Sequence, residues 1–413
     1  MPGDLLSRWH IGRIHPAPTE EPQDWTLERL CDLAKLESGH TPSRNRPEYW
    51  DGQIPWLSLH DSKLIEGKTL FDTRMTISAL GLANSSARLL PKGTVALSRT
   101  ATIGKVAVLG REMATSQDFA CYVCGPRLLN AYLAHLFRAM EPEWQRLMAG
   151  STHNTIYMPT FENMQILVPP MAEQEAIAEA LSDADALIEG LERLIDKKRL
   201  IKQGAMQDLL TAKRRLPGFS GEWSTLSLND LLLRATGGGT PSRTIAEYWD
   251  GNIPWMTVKD FTVGSRHGTL ESITEQGLKN SASASIPAGT LILCTRMAVG
   301  KTTIMNVDVA INQDLKALFF IDECIPRFYQ LMFELRQREI EESAGGSTVK
   351  GISLKDIRAI EMPKPCKDEQ MKLAHVFDDM DAEIHALDTR LEKARQVKEG
   401  MMQNLLTGRI RLV

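Results

Sequence analysis

Apolar residues along this chain follow two different periods, and the change from one to the other marks out its organisation. Over residues 21–170 and again over 217–365, short apolar runs such as Gly93-Thr94-Val95-Ala96-Leu97 and Gly289-Thr290-Leu291-Ile292-Leu293 are bounded by Gly, Pro and Thr. That pattern predicts short strands and turns with helices between them, a mixed α/β globule. After Pro169-Pro170, and again after Pro363 and Pro365, a helical period takes over. Ile177, Leu181, Ala184, Ile188, Leu191 and Ile195 step by 4-3-4-3-4, and Leu373, Phe377, Met380, Ile384, Leu387, Leu391 and Ala394 keep the same step. These are heptad seams. The stretch from Glu173 to Leu210 predicts a helix of roughly 55 Å, with a bend expected near Gly204 and its counterpart Gly400. So narrow an apolar stripe on so long a helix calls for a partner helix.

The two regions of each period are copies of one unit. Thr41-Pro42-Ser43-Arg44 and Glu48-Tyr49-Trp50-Asp51-Gly52 through Ile54-Pro55-Trp56 recur as Thr240-Pro241-Ser242-Arg243 and Glu247-Tyr248-Trp249-Asp250-Gly251 through Ile253-Pro254-Trp255. At an offset of 196, Pro91, Gly93, Thr94, Gly104 and Lys105 find Pro287, Gly289, Thr290, Gly300 and Lys301. Gln117-Asp118 answers Gln313-Asp314, and Glu173-Gln174 answers Glu369-Gln370. Lys202, Gly204, Met206-Gln207 and Leu209-Leu210-Thr211 match Lys398, Gly400, Met402-Gln403 and Leu405-Leu406-Thr407. A period near 200 residues is a duplicated domain pair and not a solenoid, whose units run roughly 20 to 50 residues. The segments expected are a first globule at 1–170 with a lead-in at 1–22, a helix at 171–215, a second globule at 216–365 and a helix at 366–413, an internal duplication with pseudo-two-fold symmetry.

Charge orients the helices. Residues 171–190 carry six acidic side chains and no basic one, while 191–215 carry eight basic and three acidic. Residues 366–389 carry seven acidic and two basic, and 390–413 carry six basic and two acidic. Parallel pairing would set like against like, whereas antiparallel pairing matches acid to base and suits each helix dipole. Exposed pairs are worth only about 0.5 kcal/mol each, so they choose the orientation without supplying most of the stability.

Composition first argues against a nucleic-acid partner. With 48 Lys and Arg against 52 Asp and Glu, the 413-residue chain has a formal charge of −4, and DNA-binding domains usually carry a basic excess. Division by segment changes that picture: residues 1–170 hold 17 basic and 17 acidic side chains, so each globule keeps enough Lys and Arg for a local stripe. The implication left is weak DNA binding by the chain alone. Six cysteines are sparse for the length, no N-terminal signal core is visible and no apolar run approaches the ~18 residues of a membrane helix, which predicts a cytoplasmic, reducing setting without a membrane.

The order of a Gly-x-Thr-Pro-Ser stretch, a Tyr-Trp-x-Gly-x-Ile-Pro-Trp run, a Gly-Thr and later Gly-Lys segment, a Pro-rich exit into Glu-Gln and a helix closing on Met-Gln-x-Leu-Leu-Thr, all written twice, resembles the specificity subunit of Type I restriction-modification systems. The resemblance covers about Trp25 to Leu412. It implies two target-recognition domains, each reading half of a split, asymmetric duplex site, and an antiparallel coiled coil that sets the gap between half-sites. It also implies docking of two methyltransferase subunits and joining by restriction and translocation subunits. Catalysis, with S-adenosylmethionine, ATP and Mg, then belongs to those partners, and this chain carries no cofactor and no enzymatic activity. A caliper of this kind reads patches about one helical turn of DNA apart, roughly 34 Å, and inserting residues around Leu209 to Arg215 should change the gap without changing either half-site.

Candidates for DNA contact are basic and polar residues that interrupt the strand-like segments: Arg44, Arg46, His60, Lys63, Arg99 and Lys105 in the first globule, Arg243, Lys259, Arg266, Arg296, Lys301 and Lys350 in the second. Positions repeated in both, such as Arg44 with Arg243 and Lys105 with Lys301, suit backbone grip or scaffold. Unmatched ones suit sequence reading. Trp50, Trp56, Trp249 and Trp255, duplicated inside Pro-flanked runs, fit core or turn-locking roles better than base stacking.

Enzymatic motifs are missing from the sequence. Gly300-Lys301-Thr302 ends like a phosphate-binding loop, but the glycine needed five residues earlier is Thr295, and in the first copy Arg99. Cys121-Tyr122-Val123-Cys124 lacks a second ligand pair, which argues against zinc. Val168-Pro169-Pro170-Met171 lacks the flanking residues an adenine methyltransferase uses on a flipped base. The alternative to DNA recognition is a scaffold that spaces two protein partners with no nucleic acid at all.

Overall fold

The computed structural model describes residues 8–15, 18, 22–61, 65, 69–148, 154–263, 267–344 and 351–412. The chain divides into two compact units, Met1–Glu192 with Thr389–Val413, and Arg193–Asp388. The first unit is discontinuous and the second continuous, and neither has the bounds of one globule with the helix that follows it. Each combines a globule with the start of the long helix that follows it and the end of the other long helix.

In the first unit Val95–Ser98, buried along its whole length, lies inside a five-stranded sheet of order Ala34–Ser38, Phe119–Cys124, Val95–Ser98, Val106–Leu109, Thr69–Leu70. A three-stranded sheet orders Thr76–Ile77, Trp50–Leu57 and Ala114–Thr115, and Thr26–Arg29 pairs antiparallel with Gln165–Val168. The second unit repeats the plan with two four-stranded sheets, built around Leu291–Cys294 and Trp249–Met256, and an antiparallel pair of Ser224–Ser227 with Glu361–Lys364. Gly104 and Gly300 both have positive φ and close a hairpin, with Ser98 donating to the Lys105 carbonyl and Cys294 to that of Lys301. The Gly-Lys pair is therefore a turn.

The repeated Trp-Asp-Gly-x-Ile-Pro-Trp run encodes a bulge. Trp50 and Ile54 both face Ile77, and Trp249 and Ile253 both face Ile273. The residues that loop out include Asp51 and Asp250, at φ 56° and 59°, a conformation Asp tolerates better than most side chains. At Gly52 a Cβ would sit 2.4 Å from the Ser78 Cα, so only glycine fits.

The long helices run over Met171–Leu209 and Lys367–Leu405, 39 residues each and unbroken through Gly204 and Gly400. A side chain at either glycine would meet open space. In the first unit Arg395 meets Glu192 at 2.6 Å and Lys398 meets Asp185; in the second Lys198 meets Glu383 at 2.6 Å and Arg199 meets Asp388 at 3.1 Å. Lys398 with Asp185 and Lys198 with Glu383 join the late half of one helix to the early half of the other, and Arg395 with Glu192 and Arg199 with Asp388 reach just past the midpoint, all in the antiparallel sense that the charge distribution predicts.

The heptad stripe is shared between two surfaces. Ile177 and Leu181 are fully buried in the core that holds Tyr132, Leu133 and Phe137 of helix Asn130–Ala139, together with Leu405 and Leu406. Leu373 and Phe377 occupy the corresponding core with Phe328, Tyr329 and Phe333 of helix Pro326–Leu335. Burial of such side chains stabilises by roughly 1.5–3 kcal/mol each, so each helix is anchored in its globule over its first turns. Farther along, Leu191, Ile195 and Leu391 are buried, while Ile188, Met380, Ile384 and Leu387 are half-buried.

Candidate nucleic-acid interface

In both globules the Thr-Pro-Ser-Arg turn is fastened by the tryptophans that follow it. Trp50 Nε1 donates to the Ser43 carbonyl at 3.2 Å and Trp56 Nε1 to the His40 carbonyl at 3.0 Å. Trp249 and Trp255 do the same to Ser242 and Gly239, at 3.1 and 3.2 Å. Each pair of indoles meets edge to face, 5.0 and 5.1 Å between centroids, a favoured geometry for aromatic rings. The tryptophans are turn locks, and the turn they lock carries the arginine.

Those arginines stand in different surroundings. Arg44 lies over the Trp50 ring at 5.1 Å, and Arg243 lies over Trp249 at 3.8 Å. Arg243 is also held by both carboxylate oxygens of Glu271, at 2.5 and 2.9 Å, which raises its pKa and lowers that of Glu271. Glu271 stands opposite Trp255 in the ladder; opposite Trp56, whose amide bonds the Met75 carbonyl, the first globule has Met75 instead. The second arginine is thus paired with a carboxylate of the neighbouring strand, a partner whose place in the first globule is taken by an uncharged methionine.

A second loop is tied to the turn. Thr41 Oγ1 donates to Gln117 Oε1 at 2.7 Å, and Thr240 Oγ1 to Gln313 Oε1 at 2.7 Å. Arg99 Nε donates to the Gln117 carbonyl at 2.9 Å and its Nη1 to that of Ile156 at 3.2 Å. Lys316 Nζ donates to the Gln313 carbonyl at 3.3 Å; burial first, and then the nearby Arg296, lower the pKa of this lysine. Beside the glutamines, Asp118 accepts from Thr100 and Ser116 at 2.8 Å each, and Asp314 accepts from Asn312 at 3.2 Å and faces Arg296 at 3.7 Å.

The structure thus gathers Arg44, Arg46 and Arg99 around one turn, and Arg243 and Arg296 around the other; Lys259 contributes to the positive potential on Glu271. His60 is exposed on a separate short turn, Leu59–Asp61, pinned by the buried Asp61. Lys105 is apart from the others: it lines a cavity of about 390 Å³ with Arg138, Asp185, Ile188 and Lys398, on the helix side of its globule. Its counterpart Lys301 is exposed. Lys63, Arg266 and Lys350 lie outside the described residues. Reading the sequence for cations passed over Thr41, Gln117, Thr240, Gln313 and Lys316, although the first four stand in the repeat itself.

Burial pushes the Cys121 and Cys124 thiols up to about 12. No group of three or more His, Cys, Asp or Glu among the described residues is arranged to hold a metal, and no described helix is long and apolar enough to cross a membrane.

A duplicated α/β globule on antiparallel helices, with a locked, arginine-bearing turn in each copy, defines a recognition subunit. The chain belongs to the family described as Type I restriction modification DNA specificity domain, which it matches twice, over residues 22–197 and 220–395. It is 23% identical over 412 residues to the MjaIX specificity subunit of Methanocaldococcus jannaschii, covering 95% of this chain and 94% of that one. Over 185 residues it is 26% identical to the EcoR124I/EcoR124II specificity subunit of Escherichia coli, covering 43% of this chain and 45% of the relative. The fold matches that of a Type I restriction-modification S subunit from M. genitalium with a TM-score of 0.60 at 14% identity, over 94% of this chain and 98% of that one. It also matches a chain from a structural study of complex assembly and conformational transition in the type I R-M system, with a TM-score of 0.59 at 18% identity, over 94% and 99%.

Proposed function

We propose that this chain is the non-catalytic DNA-reading subunit of a Type I restriction-modification assembly, each globule reading one half of a bipartite duplex site. The paired helices set the gap between the half-sites and dock two methyltransferase subunits, which supply S-adenosylmethionine chemistry, while restriction subunits bring ATP and Mg. The observation that carries this reading is the platform built twice in one chain: the same locked turn, threonine–glutamine link and guarded aspartate, surrounded by residues that differ between copies. A shared mount with unshared neighbours suits two domains that grip the same polymer and read different sequences on it.

Adenine methylation mapped across the genome of the host, with and without this gene, tests the reading. The expected result is a split motif that disappears with the gene. A methylation pattern indifferent to the gene would favour a scaffold that spaces two proteins.

A further inference from the structure

The two exposed glutamines of the platform have more in common than their sequence repeat requires. Each points its carbonyl oxygen at a threonine hydroxyl 2.7 Å away, although the segments joining threonine to glutamine differ in length, the partners standing 76 residues apart in one globule and 73 in the other. An exposed side-chain hydrogen bond adds little to stability, because water replaces it on unfolding. What the link does is fix an amide: with the oxygen held, the nitrogen turns away from the threonine, and it has no hydrogen-bond partner among the described residues in either copy.

Positive charge is brought to the same place by different means. Arg99 caps the main-chain carbonyl of Gln117, whereas the second globule has Thr295 at the matching position, where its amide bonds Asp314 as that of Arg99 bonds Asp118, and caps Gln313 with Lys316 instead. Non-equivalent residues have converged on one cation behind each glutamine. The adjoining carboxylates of Asp118 and Asp314 are engaged by Thr100, Ser116, Asn312 and Arg296. An oriented amide donor backed by a cation fits an anionic oxygen. Because both globules share the feature while their neighbouring residues differ, it suits the part of the duplex that is the same at every sequence.

We propose that Gln117 and Gln313 each donate their side-chain amide to a backbone phosphate, one in each half-site, and so set the register of their globule on the duplex without reading a base. This assignment rests on the chain being a DNA-recognition subunit.

The test uses the full chain assembled with its methyltransferase subunits, a duplex carrying the methylated motif and one with both half-sites scrambled. Gln117→Ala and Gln313→Ala should each weaken both duplexes by the same factor, about tenfold, the size of one hydrogen bond to a charged group. Gln117→Glu keeps an acceptor for Thr41 and so the fold, checked by an unchanged melting temperature; it should weaken binding further, most of all at low salt. The methylated motif should stay the same in cells carrying each variant. A motif relaxed at one base, or affinities within twofold of the parent, would overturn the assignment. If the parent complex itself shows no preference for its motif, the reading of the whole chain fails, and the glutamine assignment with it.

Discussion

Arg411 and Glu173 are 238 residues apart in sequence and form a two-pronged ion pair, Nε to Oε1 at 2.6 Å and Nη2 to Oε2 at 2.7 Å. The carboxylate is completely buried and takes a third bond from Trp25 Nε1 at 2.8 Å. The second unit has the same buckle: Arg215 grips both oxygens of Glu369 at 2.8 Å, and Trp223 adds its indole at 2.9 Å. Each buckle ties the end of one long helix to the start of the other. Beside them, Gln174 and Gln370 bridge matching backbone groups, Gln174 bonding the carbonyls of Arg127 and Pro169 and the amide of Leu129, Gln370 those of Glu323, Pro365 and Ile325.

Replacing Arg411 by Ala leaves a buried carboxylate short of its main partner, an error that costs about 3–5 kcal/mol in a fully buried pair. Because Arg411 is itself partly exposed, the expected loss is about 2–3 kcal/mol, a drop of roughly 5–10 °C in the melting of the first unit. Arg411→Lys should restore only part of it, since one ammonium cannot reproduce the fork. A double-mutant cycle with Glu173→Gln measures the coupling, and additive losses would remove the buckle from the account.

Acid should loosen the same unit. Burial alone would raise the carboxyl pKa of Glu173, Glu143 and Glu37, but bonds from Arg411 and Trp25, from Arg146 and Gly12, and from Lys35 and Arg88 hold all three below their ordinary values. A carboxyl depressed in the folded state stabilises it fully above its unfolded pKa of about 4.3, and that stability is lost as pH falls through the folded value. Burial first, and then Arg138, hold His135 of the same unit down to about 4, so it must stay neutral in the fold, and melting temperature should begin to fall below about pH 6.5 and fall further below pH 5 as the carboxyls are protonated. The Glu173→Gln and Glu143→Gln double variant should be less stable at pH 7 and show a shallower fall.

Freeing Arg243 should strengthen DNA binding. Glu271→Gln removes the charge that neutralises it while keeping a hydrogen-bond acceptor beside it. The complex should bind about three- to tenfold more tightly at low salt, with the gain shrinking as salt screens it. Weaker binding would mean that Glu271 presents Arg243 to the duplex and does not restrain it.

The turn locks can be tested one at a time. Trp50→Phe keeps the ring against Trp56 and gives the exposed Ser43 carbonyl over to water, so stability should change by less than about 0.5 kcal/mol while amide exchange across the turn becomes faster. DNA affinity should fall through the looser Arg44. An unchanged turn with impaired binding would point to base stacking by Trp50.

Much of this arrangement could be read from the sequence because it is local or periodic. The duplication, the heptads and the opposed charge of the helix halves are visible as spacing, and each led to the corresponding feature of the fold. The buckles were invisible, since nothing around Trp25 or Arg411 announces a contact across 238 residues. The division of the globules was hidden too: the apolar stripe reads as one seam, yet Ile177 and Leu181 serve a globule core. In the globules, choosing by charge named Arg44 and Arg243, which the structure places at the locked turns, and Lys105, which it places on the helix side, and it did not name the neutral glutamines tied to those turns.

The buckle also sets an order of events during synthesis. At roughly 5–20 residues per second, the 238 residues between Glu173 and Arg411 take on the order of ten to fifty seconds to make. Through that interval the first globule exists without Leu405, Leu406 and the arginine that completes its core, while the second globule has its own Arg215 in hand before its first strand is made. The half of the protein that is translated first is therefore the half that finishes folding last, and a premature stop near the end of the message would harm the beginning of the chain.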